Sequence, residues 1–168
     1  HEPTLSQMIV AASQDPEIIE YAKAAGAKGV NLSGICCTAN EILMRQGIPA
    51  AGNFLHQELS ILTGSVEAMV VDVQCIMQAL VGLAENFHTK IITTSPKVKI
   101  KGATHIEFDE HHALTVAKDI LKVSIDNYKN RGETEIPEDR EDLVPGFSHE
   151  YINYMLGGSY RASFRPLN

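Results

Sequence analysis

Two adjacent cysteines, Cys36 and Cys37, lie in the stretch SGICCTAN, and the chain has one other cysteine, Cys75. Neighbouring cysteines rarely bond to each other and three is an odd number, so the thiols do not indicate a disulfide framework. Thiolates and imidazoles are ligands that zinc and iron–sulfur clusters use in proteins. Together with His1, the cysteines could hold a zinc ion or part of an iron–sulfur cluster. The alternative is that they are small apolar residues of a core.

Each of these residues falls where a helix is predicted to begin. Cys36 and Cys37 separate the β-leaning run GVNLSGI from the capping-box sequence TANE. Cys75 separates the apolar run AMVVDVQ from a helical pattern, and His1 precedes another capping box, TLSQ. Ligands of open parallel sheets bind outside the carboxyl ends of the strands, and helix N-termini there favour the thiolate, the form that binds metal. We therefore expect the four residues to gather at one edge of a sheet.

The spacing of apolar residues predicts strands that alternate with helices. Such alternation is typical of parallel strands with helices on the faces, so the predicted class is α/β. The last long helix is predicted to place Leu114, Val116, Ala117, Ile120, Leu121 and Ile125 on its core side. Predicted helices cover 5–13, 16–25, 38–46, 56–62, 76–87, 110–129 and 148–156, and predicted strands cover 29–35, 52–55, 67–74, 90–95 and 104–109. The charged segment 130–146 is predicted to be an exposed connection.

Size and charge exclude several classes of function. The chain has 168 residues, which suits one domain, and its net charge is −7, with 21 acidic and 14 basic side chains. Nucleic-acid binding needs a basic surface, so no nucleic-acid partner is expected. No apolar run is long enough to cross a bilayer, and unpaired thiols favour a reducing, cytoplasmic location. The chain begins without Met, and we expect a fragment of a longer protein; a processed complete domain is the alternative.

Other catalytic motifs are missing from the sequence. There is no glycine-rich dinucleotide motif, no Walker A sequence and no serine nucleophile elbow. His111 and His112 are adjacent at the start of a helix, where they point to different faces, so a solvated pair is expected. Asp72 could orient a neighbour of Cys75, although a capping or structural role is the simpler interpretation.

The sequence as a whole resembles the anaerobic nickel–iron carbon monoxide dehydrogenases. The resemblance rests on HEPTLSQMIVAA, AAGAKGVNLSGICCTANEILMRQGIP, VVDVQCIMQAL and VPGFSHEYINYMLGGSYR, of which GICCTANEILMRQGIP is the most specific. The hybrid-cluster proteins (hydroxylamine reductases) share the fold but match these sequence stretches less well. The resemblance implies a Rossmann-like middle domain, with a three-layer parallel-rich sheet and helices on both faces. It places this domain at 1–146, followed by a helix and linker at 147–168 towards a further domain.

The resemblance also implies an activity and a set of site residues. Members of that family are homodimers that oxidise CO with water to CO2, two protons and two electrons at a NiFe4S4-type cluster. Further Fe4S4 clusters, bound outside this chain, pass the electrons to a ferredoxin-like acceptor. On this pattern His1 and Cys37 are ligands of the unique iron, and Cys75 is a ligand of one cubane iron. Cys36 is the neighbouring thiol, which lies close to the cluster but is not one of its permanent iron ligands.

The chain lacks several parts that the resemblance requires. Three further cluster cysteines, the cysteines of the electron-transfer clusters, and an acid–base His and Lys belong to missing N- and C-terminal domains. We therefore expect residues 1–168 alone to be inactive. The alternative outside this class of enzyme is a non-enzymatic Rossmann-like domain whose cysteines are structural.

Overall fold

A computed structural model describes residues 3–38, 46–72 and 76–136. These residues belong to one compact unit of the chain, His1–Ile136. The helices are α1 (Pro3–Ser13), α2 (Pro16–Ala24), α3 (Cys36–Thr38), α4 (Gln57–Leu62), α5 (Ala79–Ala84) and α6 (Ala113–Asn127). The strands are β1 (Gly34–Ile35), β2 (Ala50–Gly52), β3 (Ala68–Val71), β4 (Lys90–Thr93) and β5 (Thr104–His105). Short 3-10 turns precede α4 and α6, at Phe54–His56 and Glu110–His112, and another follows α6 at Tyr128–Asn130.

All strand pairs in the described part of the chain are parallel. β1 pairs with β2, and β4 lies between β3 and β5. Parallel strands need a crossover between them, and α5 provides it between β3 and β4. The predicted α/β class with parallel strands is confirmed.

Strands β3 and β4 bury side chains on both of their faces. Met69, Val71 and Ile91 pack against Ile61 of α4 and Leu80 of α5. The alternate residues face the other way and pack against α1 and α6; these are Ala68, Val70 and Ile92, in contact with Leu5 and Ile120. Because successive strand residues point to opposite faces, the short apolar runs AMVV and KIIT contribute side chains to the apolar cores on both sides of the sheet. Helices therefore cover both faces of the sheet, as predicted.

The helices α1, α2 and α6 form a second apolar cluster beside the sheet. It contains Ala12, Ile18, Ala22, Ala117, Leu121 and Ile125. Asp15 caps α2 by accepting a hydrogen bond from the Glu17 backbone N–H at 2.9 Å, and Pro16 takes the first helical position. Lys118 of α6 then bridges the two acidic residues, with Nζ 2.7 Å from Asp15 Oδ2 and 2.8 Å from Glu17 Oε2. The predicted cap at Asp15 is confirmed.

Buried polar contacts attach the end of α6 to the amino ends of β3 and β4. Asn127 is buried, and its side-chain Nδ2 donates to the backbone oxygens of Glu67 at 2.8 Å and His88 at 2.5 Å. Arg131 Nε donates to Glu67 Oε1 at 2.7 Å, and His88 Nε2 lies 3.1 Å from the same oxygen. This end of the sheet is opposite to the one where ligands of parallel sheets bind.

Several predicted boundaries are wrong for local reasons. The predicted strand 52–55 stops at Gly52, because Asn53 caps a 3-10 turn. The helix predicted from Ile76 begins at Ala79. Leu114 is 44% exposed, because it lies about 100° around the helix from Ala113, which begins the buried stripe. The helix predicted over 16–25 ends at Ala24, and Ala25 is its exposed C-cap, before Gly26 with φ +88°.

Other predictions are confirmed in part or lie outside the described residues. The strand predicted at 29–35 is confined to Gly34–Ile35, and that at 104–109 to Thr104–His105. Residues 131–136 are exposed, as predicted for the start of the connection. Residues 39–45 of one predicted helix, the helix at 148–156 and the proposed domain boundary at 146 and 147 lie outside the described residues. No helix in the described ranges has the length and apolar character needed to cross a membrane.

Candidate metal centre

The two adjacent cysteines follow β1 directly, at the carboxyl end of a parallel pair of strands. In the register of the pair, Gly34 lies opposite Ala50 and Ile35 opposite Gly52. The Gly34 backbone N–H donates to the Pro49 oxygen at 2.9 Å, which fixes the start of β1 against β2. Cys36 and the residue after Gly52 therefore emerge at the same edge. This is the position that the sequence predicted for Cys36 and Cys37.

Cys36 has a backbone conformation that is unusual for its type. Its φ is +60°, and no other non-glycine residue in the described part of the chain has a positive φ. A left-handed conformation costs a residue with a side chain about 1–2 kcal/mol. The bend lets the chain pass from β1 into the first turn of α3 within one residue. Both thiols are half-buried, and neither Cys36 nor Cys37 is part of a disulfide.

The segment after β2 brings a polar side chain to Cys36. Gln57 begins α4, is 4% exposed, and its amide Nε2 lies 3.9 Å from Cys36 Sγ. A sulfur acceptor has a large radius, so this separation is at the long end of an N–H···S hydrogen bond. The contact joins residues 21 positions apart in the chain, across the β1–β2 pair. Sequence reasoning missed it, because nothing in the pattern of α4 marks Gln57 as buried.

A compact turn holds the start of α4 in place. Asn53 Oδ1 accepts from the Leu55 backbone N–H at 2.9 Å, and His56 Nδ1 accepts from the Asn53 backbone N–H at 3.0 Å. The two bonds form a reciprocal capping box. Because Nδ1 is the acceptor, the neutral imidazole carries its proton on Nε2. The spacing of Asn53 and His56 is the signal that could have located this turn in the sequence.

Gly52 allows this turn to approach β2 closely. Its φ is +145°, and a Cβ built there would lie 2.5 Å from His56 Nδ1 and 2.6 Å from His56 Cβ. A side chain at this position would displace the imidazole from Asn53. Gly52 is therefore required by both the backbone conformation and the packing.

The three-stranded sheet also presents polar residues at its carboxyl edge. Asp72 follows β3 directly and is buried, and it is the last described residue before Cys75. Thr93 ends β4, and its Oγ1 lies 2.9 Å from His105 Nδ1 at the end of β5. His105 Nε2 lies 3.6 Å from Glu107 Oε2.

The predicted ligand set is described only in part. His1 and Cys75 lie outside the described residues, so their distances to Cys37 stay a prediction. Within 3–38, 46–72 and 76–136, no group of three or more His, Cys, Asp or Glu residues is placed to hold a metal ion. The two described thiols fit the proposed cluster in chemistry and place: they are soft donors, half-buried, at the carboxyl edge of parallel strands.

The adjacent histidines at the start of α6 have a different role. Both His111 and His112 are exposed. Asp109 accepts from the His111 backbone N–H at 3.0 Å, and its Oδ2 lies 2.7 Å from His112 Nδ1. The hydrogen bond with His112 holds the pKa of Asp109 below its usual value. The prediction of a solvated pair is confirmed.

An exposed apolar surface lies along α4 and the turn before it. Leu55, Leu59 and Leu62 are 71%, 56% and 45% exposed, and they follow one another at four- and three-residue intervals along the Phe54–His56 turn and α4. The same helix buries Gln57 and Ile61. The usual preference for leucine inside and glutamine outside is thus reversed in the first turn of α4.

Comparison with known proteins points to one group of enzymes. The sequence profile of the Prismane/CO dehydrogenase family matches residues 1–159. Carbon monoxide dehydrogenase 1 of Methanosarcina mazei is 53% identical over 161 residues, which is 95% of this chain and 26% of that protein. The chain therefore spans about a quarter of the length of the curated relatives that it matches.

Solved structures agree with the sequence matches. A Ni-free carbon monoxide dehydrogenase from Thermococcus sp. AM4 superposes with a TM-score of 0.84 at 51% identity, over 94% of this chain and 25% of that one. An acetyl-CoA synthase/carbon monoxide dehydrogenase with NiZn[Fe4S4] and NiNi[Fe4S4] clusters gives a TM-score of 0.78 at 49% identity, over 82% of this chain and 21% of that one. At these identities the likeness extends beyond the fold to the sequence.

Proposed function

The chain belongs to the Prismane/CO dehydrogenase family, and from this premise we propose that the full-length protein oxidises CO with water to CO2, two protons and two electrons. The observation that carries the proposal is the adjacent thiol pair at the carboxyl end of β1, in a chain 53% identical to a carbon monoxide dehydrogenase. Fold alone would not support an activity, because one fold hosts many chemistries.

The proposed site is a nickel–iron–sulfur cluster of the NiFe4S4 type. His1 and Cys37 hold its unique iron, Cys75 holds a cubane iron, and Cys36 lies beside the cluster. Such a cluster supplies metal-activated water, a nucleophile near neutral pH, and accepts the two electrons. The chain's own contribution is to position the thiols. Both follow β1 at the edge of the sheet, and the left-handed turn at Cys36 gives the two cysteines different backbone conformations.

Other parts of the proposal concern the rest of the protein. Additional Fe4S4 clusters in the missing domains pass electrons to a ferredoxin-like acceptor, and the full-length protein is a cytoplasmic homodimer. The remaining cluster ligands lie in those domains, and metal affinity depends on the whole ligand set. Residues 1–168 expressed alone are therefore expected to show no CO-dependent dye reduction, whereas the full-length protein is expected to show it.

Single substitutions of the adjacent cysteines in the full-length protein test the ligand assignment. Cys37→Ala is expected to abolish CO oxidation and to deplete the unique iron, because it removes a ligand. Cys36→Ala is expected to keep the iron content, although nickel loading can fall. Iron, nickel and sulfide analysis, with CO-dependent dye reduction, measures both effects. Equal iron loss in the two variants would contradict the assignment, and a full-length wild type without nickel or iron would contradict the proposed function.

A further inference from the structure

One ring nitrogen of His105 is buried without a hydrogen-bond partner. The side chain is 22% exposed, and its Nδ1 lies 2.9 Å from Thr93 Oγ1. The other ring nitrogen, Nε2, is buried and makes no hydrogen bond within the described part of the chain. A buried polar atom without a partner is costly, and it is rare in folded proteins. An apolar side chain would avoid this cost, which points to a role for the imidazole itself.

His105 lies between a buried hydroxyl and an exposed carboxylate. Thr93 is fully buried, whereas Glu107 is 58% exposed. Glu107 Oε2 lies 3.6 Å from His105 Nε2, which is longer than a normal hydrogen bond, and 4.0 Å from Lys99 Nζ. An imidazole can accept a proton at one nitrogen and release one from the other near neutral pH, which suits it to carry protons. Thr93, His105 and Glu107 thus form a polar row that runs from the core to the surface.

The polar row crosses the carboxyl ends of the strands. Val71, Thr93 and His105 are cross-strand partners at the ends of β3, β4 and β5. Thr93 is two residues after Ile91, so its side chain points to the same face of the sheet as Ile91, the face that α4 and α5 cover. The buried end of the row is therefore at the edge where ligands of parallel sheets bind.

The chain next to Cys75 lies on the same face of the sheet. Ile76, which follows Cys75 directly in the sequence, packs against the apolar cluster that contains Ile91. Ile76 also lines a groove of about 290 Å³ together with Lys99, whose ammonium group contacts Glu107. A neighbour of a proposed iron ligand thus shares this face and this groove with members and contacts of the polar row.

We propose that His105 carries protons that are released at the proposed metal centre from Thr93 to Glu107, and so to solvent. This inference rests on the proposed function, in which each CO that is oxidised releases two protons. It adds a path for protons within this chain to the acid–base groups expected in the missing domains.

Each transfer moves one proton and no electrons. A proton that reaches Thr93 Oγ1 displaces the hydroxyl proton to His105 Nδ1, and the Nε2 proton passes to Glu107 Oε2. The imidazole then carries its proton on Nδ1, and Glu107 releases the proton that it received to water. Rotation of the ring restores the starting state. A ring nitrogen without a permanent hydrogen bond suits this step, because no existing bond must break before the proton leaves.

Replacing His105 in the full-length protein tests the proposal. His105→Ala is expected to lower kcat for CO-dependent dye reduction by about tenfold or more, with unchanged iron and nickel contents. Added imidazole can occupy the space that the variant leaves, and it should raise the rate of the variant by about threefold or more without changing that of the wild type. The exposed His112→Ala is the control and should change neither rate nor rescue. A loss that imidazole does not restore would show a structural effect and overturn the inference.

A double-mutant cycle tests whether the polar row acts as one path. Thr93→Val removes the hydroxyl and keeps the shape of the side chain, and it should slow turnover in the otherwise wild-type protein. In a His105→Ala background it should have less than about a twofold further effect, because a path that is already broken cannot be broken again. Losses that multiply would mean that the two residues act separately, and would overturn the inference.

The exchange of histidine C2 hydrogens for deuterium, followed by mass spectrometry over a range of pH, examines His105 without turnover. The midpoint for His105 should move to lower pH in Glu107→Gln, because a nearby carboxylate favours the imidazolium while the Lys99 ammonium opposes it. Glu107 is exposed, so this variant should fold. The exposed Glu85→Gln is the matched control and should leave the midpoint in place. An unchanged midpoint in Glu107→Gln would overturn the transfer from His105 to Glu107.

The proposed function and the role of His105 fail in different ways. A wild-type protein without nickel or CO oxidation would contradict the proposed function, and with it the source of the protons. A wild type that oxidises CO, with a His105→Ala variant whose kcat stays within about twofold, would overturn the inference alone. Thermal melting of His105→Ala, Thr93→Val and Glu107→Gln checks that the variants fold.

Discussion

Replacing Gly52 with Ala tests how the end of β2 supports the thiol edge. Gly52 has φ +145°, and the added Cβ would lie 2.5 Å from His56 Nδ1 and 2.6 Å from His56 Cβ. Neither contact can persist, so the imidazole must move away from Asn53. The capping box that begins α4 is then lost, and Gln57 loses its fixed position. We therefore expect Gly52→Ala to weaken α4 and to disturb the contact between Gln57 and Cys36.

The size of the effect follows from two contributions. A backbone conformation that only glycine adopts readily costs another residue about 1–3 kcal/mol. Loss of the hydrogen bond from the Asn53 N–H to His56 Nδ1 costs about 0.5–1.5 kcal/mol. Together the local free energy of opening should fall by about 1.5–4.5 kcal/mol, and 1.5 kcal/mol corresponds to about a 13-fold change in an equilibrium constant.

Hydrogen–deuterium exchange of the full-length protein measures this change directly. Peptides covering 53–64 should exchange at least about tenfold faster in Gly52→Ala, because local opening becomes more frequent. Gly82→Ala is the matched control: it lies in α5 with no atom within 4 Å of the added Cβ, and alanine is the better helix former, so exchange there should slow slightly. Exchange of 53–64 within threefold of wild type would refute the reasoning about Gly52.

Two further predictions concern the helices around the sheet. Asn127→Leu removes the hydrogen bonds that Nδ2 donates to the backbone oxygens of Glu67 and His88, of which the Glu67 oxygen keeps its bond from the Lys90 N–H. The variant should destabilise β3 and β4 by about 1–3 kcal/mol, whereas the exposed Asn86→Ala should stay within about 0.5 kcal/mol; exchange of the strand peptides measures both. Lys118→Met should lower the melting temperature at pH 7, because hydrogen bonds from Lys118 hold the pKa values of Asp15 and Glu17 below their ordinary values of 3.8 and 4.5. A carboxyl group whose pKa is lower in the folded protein than in the unfolded chain stabilises the fold at pH values above its unfolded pKa. This stability is lost as the pH falls through the folded pKa, so the melting temperatures of wild type and variant should converge below pH 3.8.

The central strands and long helices could be predicted because their patterns are unambiguous. AMVV and KIIT are short apolar runs bounded by polar residues, as expected for strands buried on both faces, and α6 repeats its buried residues at helical spacing. Strands β1, β2 and β5 have only two or three residues, too few for a period to be visible. Their limits depend on pairing with neighbours and on caps such as Asn53.

The thiols could be located in the sequence, and their neighbours could not. Cysteine is rare in this chain, so its chemistry alone singles out Cys36 and Cys37. Gln57 and His56 are common residue types, and their contacts depend on the β1–β2 register, which brings together residues 21 positions apart. A pattern within α4 would even suggest the wrong face, because its leucines are outside and its glutamine is inside.

The backbone at Cys36 bears on whether the thiol itself is needed. A glycine at this position would make the same turn from β1 into α3 without the left-handed penalty of about 1–2 kcal/mol. The chain uses glycine at its other positive-φ positions within the described residues, including Gly26, Gly47 and Gly52. At Cys36 it instead keeps a side chain whose sulfur contacts a buried amide.

Strain retained at a residue that could be relaxed by glycine is typical of functional sites. The same strain would be difficult to explain if Cys36 were only a small apolar residue, because alanine or glycine would fill that role at equal or lower cost. The left-handed turn and the Gln57 contact therefore favour a chemical role for Cys36 over the structural alternative.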